Sequence, residues 1–502
     1  MFILIHRYCL LAILVVLFPC MAATQPMQPE SRADLVREIA GILENEAFEN
    51  AFLGIHVKDL KNGTTLFQQN SGKSFMPASN TKLYTTATAL ELLGPDFRYQ
   101  TDLFYEGVIE DSVLYGALVV RGSGDPTIGG RYHDDDPAWM FRQWAAAIKD
   151  AGISRIEGDI IGDDDIFDDT PLGLGWSWEN LSYWYAAQLS GLSFNENSVE
   201  VKIIGTRPGQ PAEILFPFET DYVNIINNTI TIHPDSTDKE EYQRFEGTND
   251  IHITSLVLPG DTVETSLSVH NPTLFFVHEL KKTLIREGIS VTGGIRDIAR
   301  VPVKPDYENR TTHITSYYSE PLKEIIFTTN KDSQNLFAEQ LLKTIGLLGS
   351  KDDRPVQGSY QGGLEVQKNF LSHAGLDTSR VQLVDGSGLS RKNIVTPEVT
   401  TALLSYMWNH PREDIRDAFI NSFPIAGVDG TLEHRFLVGY SYNNTRAKSG
   451  YVSNVRSLSG YVNSFNGTPL AFSIMSNHYT VSTSRIDRLH EQIVNLLAGY
   501  RN

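Results

Sequence analysis

The chain has almost no cysteine: of 502 residues only Cys9 and Cys20 carry a thiol. Both fall in the first stretch, so a mature chain starting beyond them could form no disulfide. Positive charge is also short. The 61 acidic residues outnumber 42 lysines and arginines, for a formal net charge of −19. That balance argues against nucleic acid and against anionic membrane surfaces as partners; a soluble surface rich in carboxylates accounts for it. No repeat with a period of roughly 20 to 50 residues recurs, which excludes a solenoid. What remains is a globular composition, 41% apolar and 21% charged, on a chain long enough for two or three domains.

The first stretch, "MFILIHRYCLLAILVVLFPCMAATQ", sets His6 and Arg7 before an apolar run from Cys9 to Phe18, with small residues at Ala22 and Ala23. This is the pattern of a secretory signal peptide over residues 1–23, too short and wrongly flanked for a transmembrane anchor. Pro19 stands where a lipoprotein signal needs a small residue, which disfavours acylation of Cys20. Removing the leader takes away one arginine and no acid, leaving a mature charge of −20. The expected location is periplasmic or otherwise extracytoplasmic, with no transmembrane anchor in the mature chain.

Beyond the leader, Leu35, Ile39, Ile42 and Leu43 recur at helical spacing after a capping Ser31. Alternating runs then flank Asn62-Gly63, a hairpin turn signal. The C-terminal end reads as three strands, the last two joined at Asn466-Gly467, followed by the amphipathic helix "STSRIDRLHEQIVNLLAGY". Two strands from the start and three from the end predict a five-stranded antiparallel sheet covered by the terminal helices. Runs such as "SEPLKEIIFTTN", "SQNLFAEQLLKTIGLL", "QGGLEVQKNFLSHAG" and "TPEVTTALLSYMWNH" predict a helical subdomain. Residues 99–303 differ in texture, with short β-type runs, frequent Gly and Pro, and acidic stretches "HDDDP" and "GDDDIFDD". They read as a β-rich insertion between a first part, 31–98, and a second, 304–500, of an α+β domain. The acidic stretches lack the spaced ligand pattern of a calcium loop and are expected to be solvated.

In "PASNTKLYTTATALELLG", Ser79 and Lys82 stand at i and i+3 at the mouth of a helical run, both on one face. A serine hydroxyl is a weak nucleophile until a neighbour takes its proton; a lysine can do so if burial and nearby positive charge lower its pKa. Free N–H groups at a helix start can also hold a developing oxyanion. The spacing alone decides little, because Ser236 and Lys239 repeat it in a polar run with no apolar face. Two further elements add weight. Lys448-Ser449-Gly450 is the only K-[ST]-G in the chain and falls on a predicted strand, where a lysine can bind a carboxylate and a glycine lets a substrate backbone lie close. Ser333-Gln334-Asn335 lies at a predicted helical junction, although S-x-N also occurs at Ser193, Ser441 and Ser464.

S-x-x-K at a helix start, S-x-N at a helical junction and K-[ST]-G on a late strand are together the signature of penicillin-binding proteins and class A β-lactamases. The chain resembles one branch of that superfamily, the D-alanyl-D-alanine carboxypeptidase/endopeptidases of the penicillin-binding protein 4 type, which carry a large insertion between the first two motifs. Here 254 residues separate Ser79 from Ser333 and only 115 separate Ser333 from Lys448. Further stretches similar to this family are "RGSGDPT" from Arg121, "GDIIGDDDIFD" from Gly158, "DGSGLSRKNIVTP" from Asp385, "PIAGVDGTLEHR" from Pro424 and "SLSGYV" from Ser457.

The resemblance implies a serine peptidase that hydrolyses peptidoglycan stem peptides through an acyl-enzyme, is acylated by β-lactams, and needs no metal or organic cofactor. Ser79 would be the nucleophile and Lys82 its base, with the Ser79 and Tyr451 N–H groups as oxyanion hole. Ser333 would relay a proton to the leaving amine, Asn335 would orient the substrate amide, and Lys448 and Ser449 would hold the terminal carboxylate, with Gly450 leaving room beside them. Ser387 and Arg391, in "DGSGLSR", would serve as substrate contacts or as support near the cleft. Two positions depart from the commoner pattern: Ser449 replaces a threonine but keeps the hydroxyl, and Tyr451 stands where many relatives have a second threonine. A β-lactamase is the nearest rival, and Glu365 and Asn369 have the E-x-x-x-N spacing of its deacylating loop. They fall in an amphipathic helical pattern, which predicts an exposed glutamate. A non-catalytic wall-binding or β-lactam-sensing module is the other rival, and the presence of all six key side chains speaks against it.

Overall fold

The computed structural model describes residues 28–348 and 357–501; the expected leader and both cysteines lie outside the described residues. The first helix, α1 (Arg32–Leu43), begins as its cap predicts, with Ser31 accepting from the Asp34 N–H, and buries Leu35 and Ile39. It leads into β1 (Phe52–Asp59) and β2 (Thr65–Gln69), an antiparallel pair turning at Asn62-Gly63. A 3₁₀ turn over Ala78–Asn80 then opens α2 (Thr81–Leu93), which Gly94 ends at φ 79°. From Thr81 to Leu90 every residue of α2 is buried. A helix enclosed on all sides tolerates polar residues only when they are hydrogen-bonded. Thr86 and Thr88 accordingly donate to the carbonyls one turn back, at Lys82 and Tyr84, and Thr85 donates to the Gly386 carbonyl.

The insertion starts with the hairpin β3 (Gln100–Glu110) and β4 (Val113–Arg121). Helix α3 (Trp139–Asp150) follows, then the pair β5 (Ser198–Ile204) and β6 (Thr262–Ser268), and helix α4 (Pro272–Arg286). The chain returns along β7 (Thr311–Tyr318), which pairs antiparallel with β3. The insertion is rich in strands, as its texture predicts, but it is built around two helices that the sequence reading passed over. Their buried residues, Met140, Phe141, Trp144 and Ile148 on α3 and Phe276, Leu280 and Leu284 on α4, pack into a core of their own. The second acidic stretch is also not a solvated loop. Asp163 is buried and accepts from the Tyr307 hydroxyl, Asp164 accepts from Ser190 and Thr273, and Asp168 pairs with Lys343. Buried carboxylates persist where such partners meet them.

The remainder supplies α5 (Leu322–Lys331), α6 (Asn335–Leu348), α7 (Tyr360–His373), α8 (Pro397–Trp408) and α9 (Glu413–Asn421). Three strands come next, β8 (Arg446–Val452), β9 (Val455–Asn463) and β10 (Pro469–Asn477), and the closing helix is α10 (Thr483–Gly499). The sheet runs β8-β9-β10-β1-β2, antiparallel throughout, which is the five-stranded arrangement expected. Along β10 the side chains alternate between two cores. Leu470, Phe472 and Ile474 join α1 and α10 on one face, while Ala471 and Met475 join α2 and α8 on the other. The α+β plan therefore stands, and it leaves β8, with the lysine motif, on a sheet edge beside the start of α2.

Phe472 has no exposed surface, so a Phe472→Ala variant is expected to lose about 3–5 kcal/mol of stability in denaturant unfolding. A loss under about 1 kcal/mol would contradict this account of the central strand.

Candidate active site

The Ser79–Lys82 stretch reaches the sheet edge through side chains that join it to two strands. Asn80 donates to the Lys448 carbonyl at 2.7 Å and accepts from Ser459 at 2.7 Å, and Ser457 donates to the Pro77 carbonyl at 2.6 Å. Gly450 makes the close approach possible: a Cβ there would lie 2.9 Å from the Ser79 nitrogen and 2.2 Å from the Ser457 hydroxyl. Any larger residue would push the edge strand off the turn.

Lys82 is fully buried, and its Nζ lies 3.2 Å from Ser79 Oγ, 2.6 Å from Asn335 Oδ1 and 2.9 Å from the Ser387 carbonyl. Burial pulls its pKa down to about 7, against the opposing charges of Glu339 and Asp385. Lys448, also buried, lies within 2.9 Å of Ser333 Oγ and donates to the Ser449 carbonyl. Desolvation, the nearby charge of Lys82 and that of Arg456 hold Lys448 well below the usual lysine value. Burial of Lys82 thus makes a neutral amine available beside Ser79 at neutral pH.

The site opens into a cleft of about 670 Å³, lined among others by Ser79, Ser333, Asn335, Arg391, Ser449 and Tyr451. Ser333 takes the left-handed conformation, φ 62°, between α5 and α6. Asn335 has both ends of its amide engaged, Oδ1 with Lys82 and Nδ2 with the Tyr185 carbonyl of the insertion. Of the two roles expected for Ser387, substrate contact and support, its position fits support. Its side chain is buried and accepts from the Leu389 N–H, so the residue meets the site through the main-chain carbonyl that receives Lys82. Arg391 does line the cleft, donating to the Ser453 carbonyl. Gly450 and Tyr451 also reach it, whereas Glu365 is exposed on α7, away from the cleft. Ser236 stands on an exposed loop.

Sequence reasoning missed Glu339. One turn beyond Asn335 on α6 and fully buried, it accepts from the N–H groups of Gly386 and Ser387, each at 2.8 Å. Burial and the charge of Asp385 push its carboxyl up. Asp385 in turn accepts from the Gly388 and Ser390 N–H groups and from Asn393. The two carboxylates thus fix the loop whose carbonyl seats Lys82. The available signal was a glutamate in the otherwise apolar start of "NLFAEQLLKTIGLL".

A buried amine against a serine hydroxyl, beside an open cleft and a second buried lysine, is the arrangement that serine acyl transfer calls for, here on a β-lactamase/transpeptidase-like fold. The sequence matches the D-Ala-D-Ala carboxypeptidase 3 (S13) family over residues 35–500, and the chain belongs to that family of serine-type D-Ala-D-Ala carboxypeptidases. It is 32% identical over 460 residues to a D-alanyl-D-alanine carboxypeptidase of an Actinomadura species, covering 89% of this chain and 81% of that protein. It is 26% identical over 448 residues to the D-alanyl-D-alanine carboxypeptidase DacB of Haemophilus influenzae, covering 86% of each. The fold matches the crystal structure of penicillin binding protein 4 from Haemophilus influenzae with a TM-score of 0.78 at 23% identity, covering 91% of this chain and 98% of that one.

If Lys82 is the base for Ser79, acylation is expected to be slow in acid and to rise as pH climbs through about 7, since the neutral amine is the form able to accept a proton. A pH profile of the acylation rate flat from about 5.5 to 8.5 would contradict this. Glu339→Gln removes an acceptor for one of two buried N–H groups; it is expected to slow acylation about a hundredfold while the protein remains folded by circular dichroism. Wild-type acylation in that variant would remove Glu339 from the account.

Proposed function

We propose that Ser79 attacks the carbonyl between the two terminal D-alanines of a peptidoglycan stem peptide, with Lys82 as the base. The observation that carries this reading is the position of Lys82 Nζ, buried and in contact with Ser79 Oγ at the floor of the cleft. A neutral amine has two N–H bonds and one lone pair. Asn335 Oδ1 and the Ser387 carbonyl accept the two N–H bonds, which leaves the lone pair for the serine proton. As the Ser79 oxygen bonds to the carbonyl carbon, the N–H groups of Ser79 and Tyr451 receive the oxyanion. The C–N bond then breaks as Ser333, in contact with Lys448, gives its proton to the departing amine and recovers the one that Lys82 took from Ser79, so that Lys82 is again a neutral amine. Lys448 and Ser449 hold the carboxylate of the leaving D-alanine, and Asn335 orients the substrate amide once it is bound. Water then attacks the ester on Ser79, giving a proton to the neutral Lys82, which returns it to Ser79 Oγ as the ester C–O bond breaks and the shortened stem leaves with a free carboxylate. Every group in this sequence is a side chain or main-chain N–H of the chain or a water, so the reading calls on no metal or organic cofactor.

The same chemistry serves two further substrates. A D-alanyl cross-link presents the same carbonyl with a larger leaving amine, which gives an endopeptidase activity, and a β-lactam presents a strained amide that acylates Ser79. The Haemophilus influenzae penicillin binding protein 4 has been crystallised in complex with a β-lactam. Arg391, on the cleft wall, would contact the stem. The reading has the enzyme in the periplasm after loss of residues 1–23, with a catalytic domain formed by residues 31–98 and by the chain after β7; the insert runs past the expected boundary at 303, because β7 (Thr311–Tyr318) pairs with its strand β3. No helix among the described residues is long and apolar enough to cross a membrane.

The test is denaturing electrophoresis after incubation with a fluorescent penicillin, beside a Ser79→Ala variant and an assay of D-alanine release from a stem pentapeptide. A slowly decaying covalent band that vanishes in the variant, with D-alanine release in wild type only, is expected. Folded wild type that gives neither band nor D-alanine would overturn the proposal.

A further inference from the structure

The catalytic account leaves one conspicuous motif unused, "PIAGVDGTLEHR" from Pro424. In the fold it is a loop fastened to the end of α5, the helix that delivers Ser333. Lys331, the last residue of α5, is buried; its Nζ donates to the Phe423 carbonyl at 2.8 Å and pairs with Asp429 at 2.6 Å. The other carboxylate oxygen of Asp429 accepts from the Ile425 N–H at 2.7 Å. Gly430 has φ 54°, and a Cβ there would lie 2.6 Å from the Lys331 carbonyl. Only glycine lets the loop lie this close.

This construction delivers one side chain to the cleft. Leu432 is fully buried and anchors the short 3₁₀ turn Gly430–Leu432, while Thr431 beside it is exposed and lines the cleft together with Ser333 and Ser449. Its Oγ1 lies 2.8 Å from Ser449 Oγ. Two hydroxyls in contact carry two protons; one lies between them, and the other is directed outward, whichever residue donates. The Ser449–Thr431 pair therefore offers an O–H to the cleft at the place where Lys448 lies behind Ser333.

A strand places residues two apart on one side. Tyr451, two residues after Ser449, has no aliphatic hydroxyl to offer there and its side chain is half exposed. We propose that Thr431 supplies this second hydroxyl: it completes, with Ser449 and Lys448, the seat for the free α-carboxylate of the terminal D-amino acid, and so restricts the enzyme to substrates ending in a free acid. The assignment rests on the proposed reaction at Ser79 and adds to it the residue that selects the substrate's terminus. A carboxylate accepting from a hydroxyl makes a charge-assisted hydrogen bond, stronger than the one a neutral carboxamide would accept.

The test compares wild type, Thr431→Val and Thr431→Ser on one stem peptide ending in D-Ala-D-Ala as the free acid and as the C-terminal carboxamide, with kcat/KM read by mass spectrometry of the shortened peptide. Thr431→Val keeps the shape and removes the hydroxyl. It is expected to lower kcat/KM on the free acid about ten- to a hundredfold, the carboxamide by much less, and Thr431→Ser is expected to stay within about threefold of wild type on the acid. Three results would overturn the assignment: an unchanged rate on the acid in Thr431→Val, a parallel loss on acid and carboxamide, or a Thr431→Ser loss as large as that of Thr431→Val. Wild type that cleaves neither peptide would instead remove the reaction at Ser79, and the seat with it.

Discussion

An amine sealed from water is the constraint on which this structure turns. Desolvation disfavours the ammonium form of Lys82 and outweighs the opposing charges of Glu339 and Asp385. A neutral lysine in a protein core still needs its polar atoms met, or its burial costs more than packing returns. Here the partners come from three separate parts of the chain: Ser79 on the turn before α2, Asn335 at the start of α6, and the Ser387 carbonyl in the loop before α8. Much of the local architecture keeps those partners in place. The carboxylates of Glu339 and Asp385 hold the Ser387 loop, and the Asn80, Ser457 and Ser459 side chains hold the turn to the edge strand.

Helix α6 is where the two halves of the molecule meet. Asn335, Glu339 and Lys343 follow one another at i, i+4 and i+8, a single stripe on a buried helix. Asn335 donates to the Tyr185 carbonyl and Lys343 pairs with Asp168, both in the insertion, while Glu339 faces the loop of the catalytic part. Gln340 adds contacts to Ser190 and Ser193. The insertion is thus fastened to the helix that supports Lys82. Lys343 is buried while Asp168 is half-exposed, so removing Asp168 would strand a buried ammonium, and disturbance in the insertion has a direct route to the site.

The sheet, the terminal helices and the helical subdomain were legible because each carries a strong local signal. Asn62-Gly63 and Asn466-Gly467 mark turns, β10 and its neighbours alternate, and α10 has a clear apolar stripe. Ser79, Lys82, Ser333 and Lys448 were legible as motifs, and the fold brings all four to one cleft floor. The misses share a physical cause: they depend on contacts between residues far apart in the chain. Glu339 and Lys343 read as ordinary helix charges until their partners across the fold are seen. Ser387 works through its carbonyl, which no side-chain pattern reports. Helices α3 and α4 were hidden by the Gly, Pro and short strands around them, although the apolar spacing of Met140, Phe141, Trp144 and Ile148 was there to be read. The "GDDDIFDD" stretch shows the limit of charge runs as a signal, since its acids differ in burial and partners residue by residue.

The central claim, that burial lowers the pKa of Lys82 to about 7 and so populates its neutral amine near neutral pH, is open to direct measurement. Labelling the protein with lysine carrying ¹³C at Cε and following the signals through a pH titration reports the charge of each amine, and a Lys82→Arg variant identifies the relevant resonance. A signal absent from the variant and titrating near 7 is the result expected here. Titration of that signal near the ordinary lysine value of about 10.4 would show a charged ammonium against Ser79, and the base in this mechanism would have to be sought elsewhere.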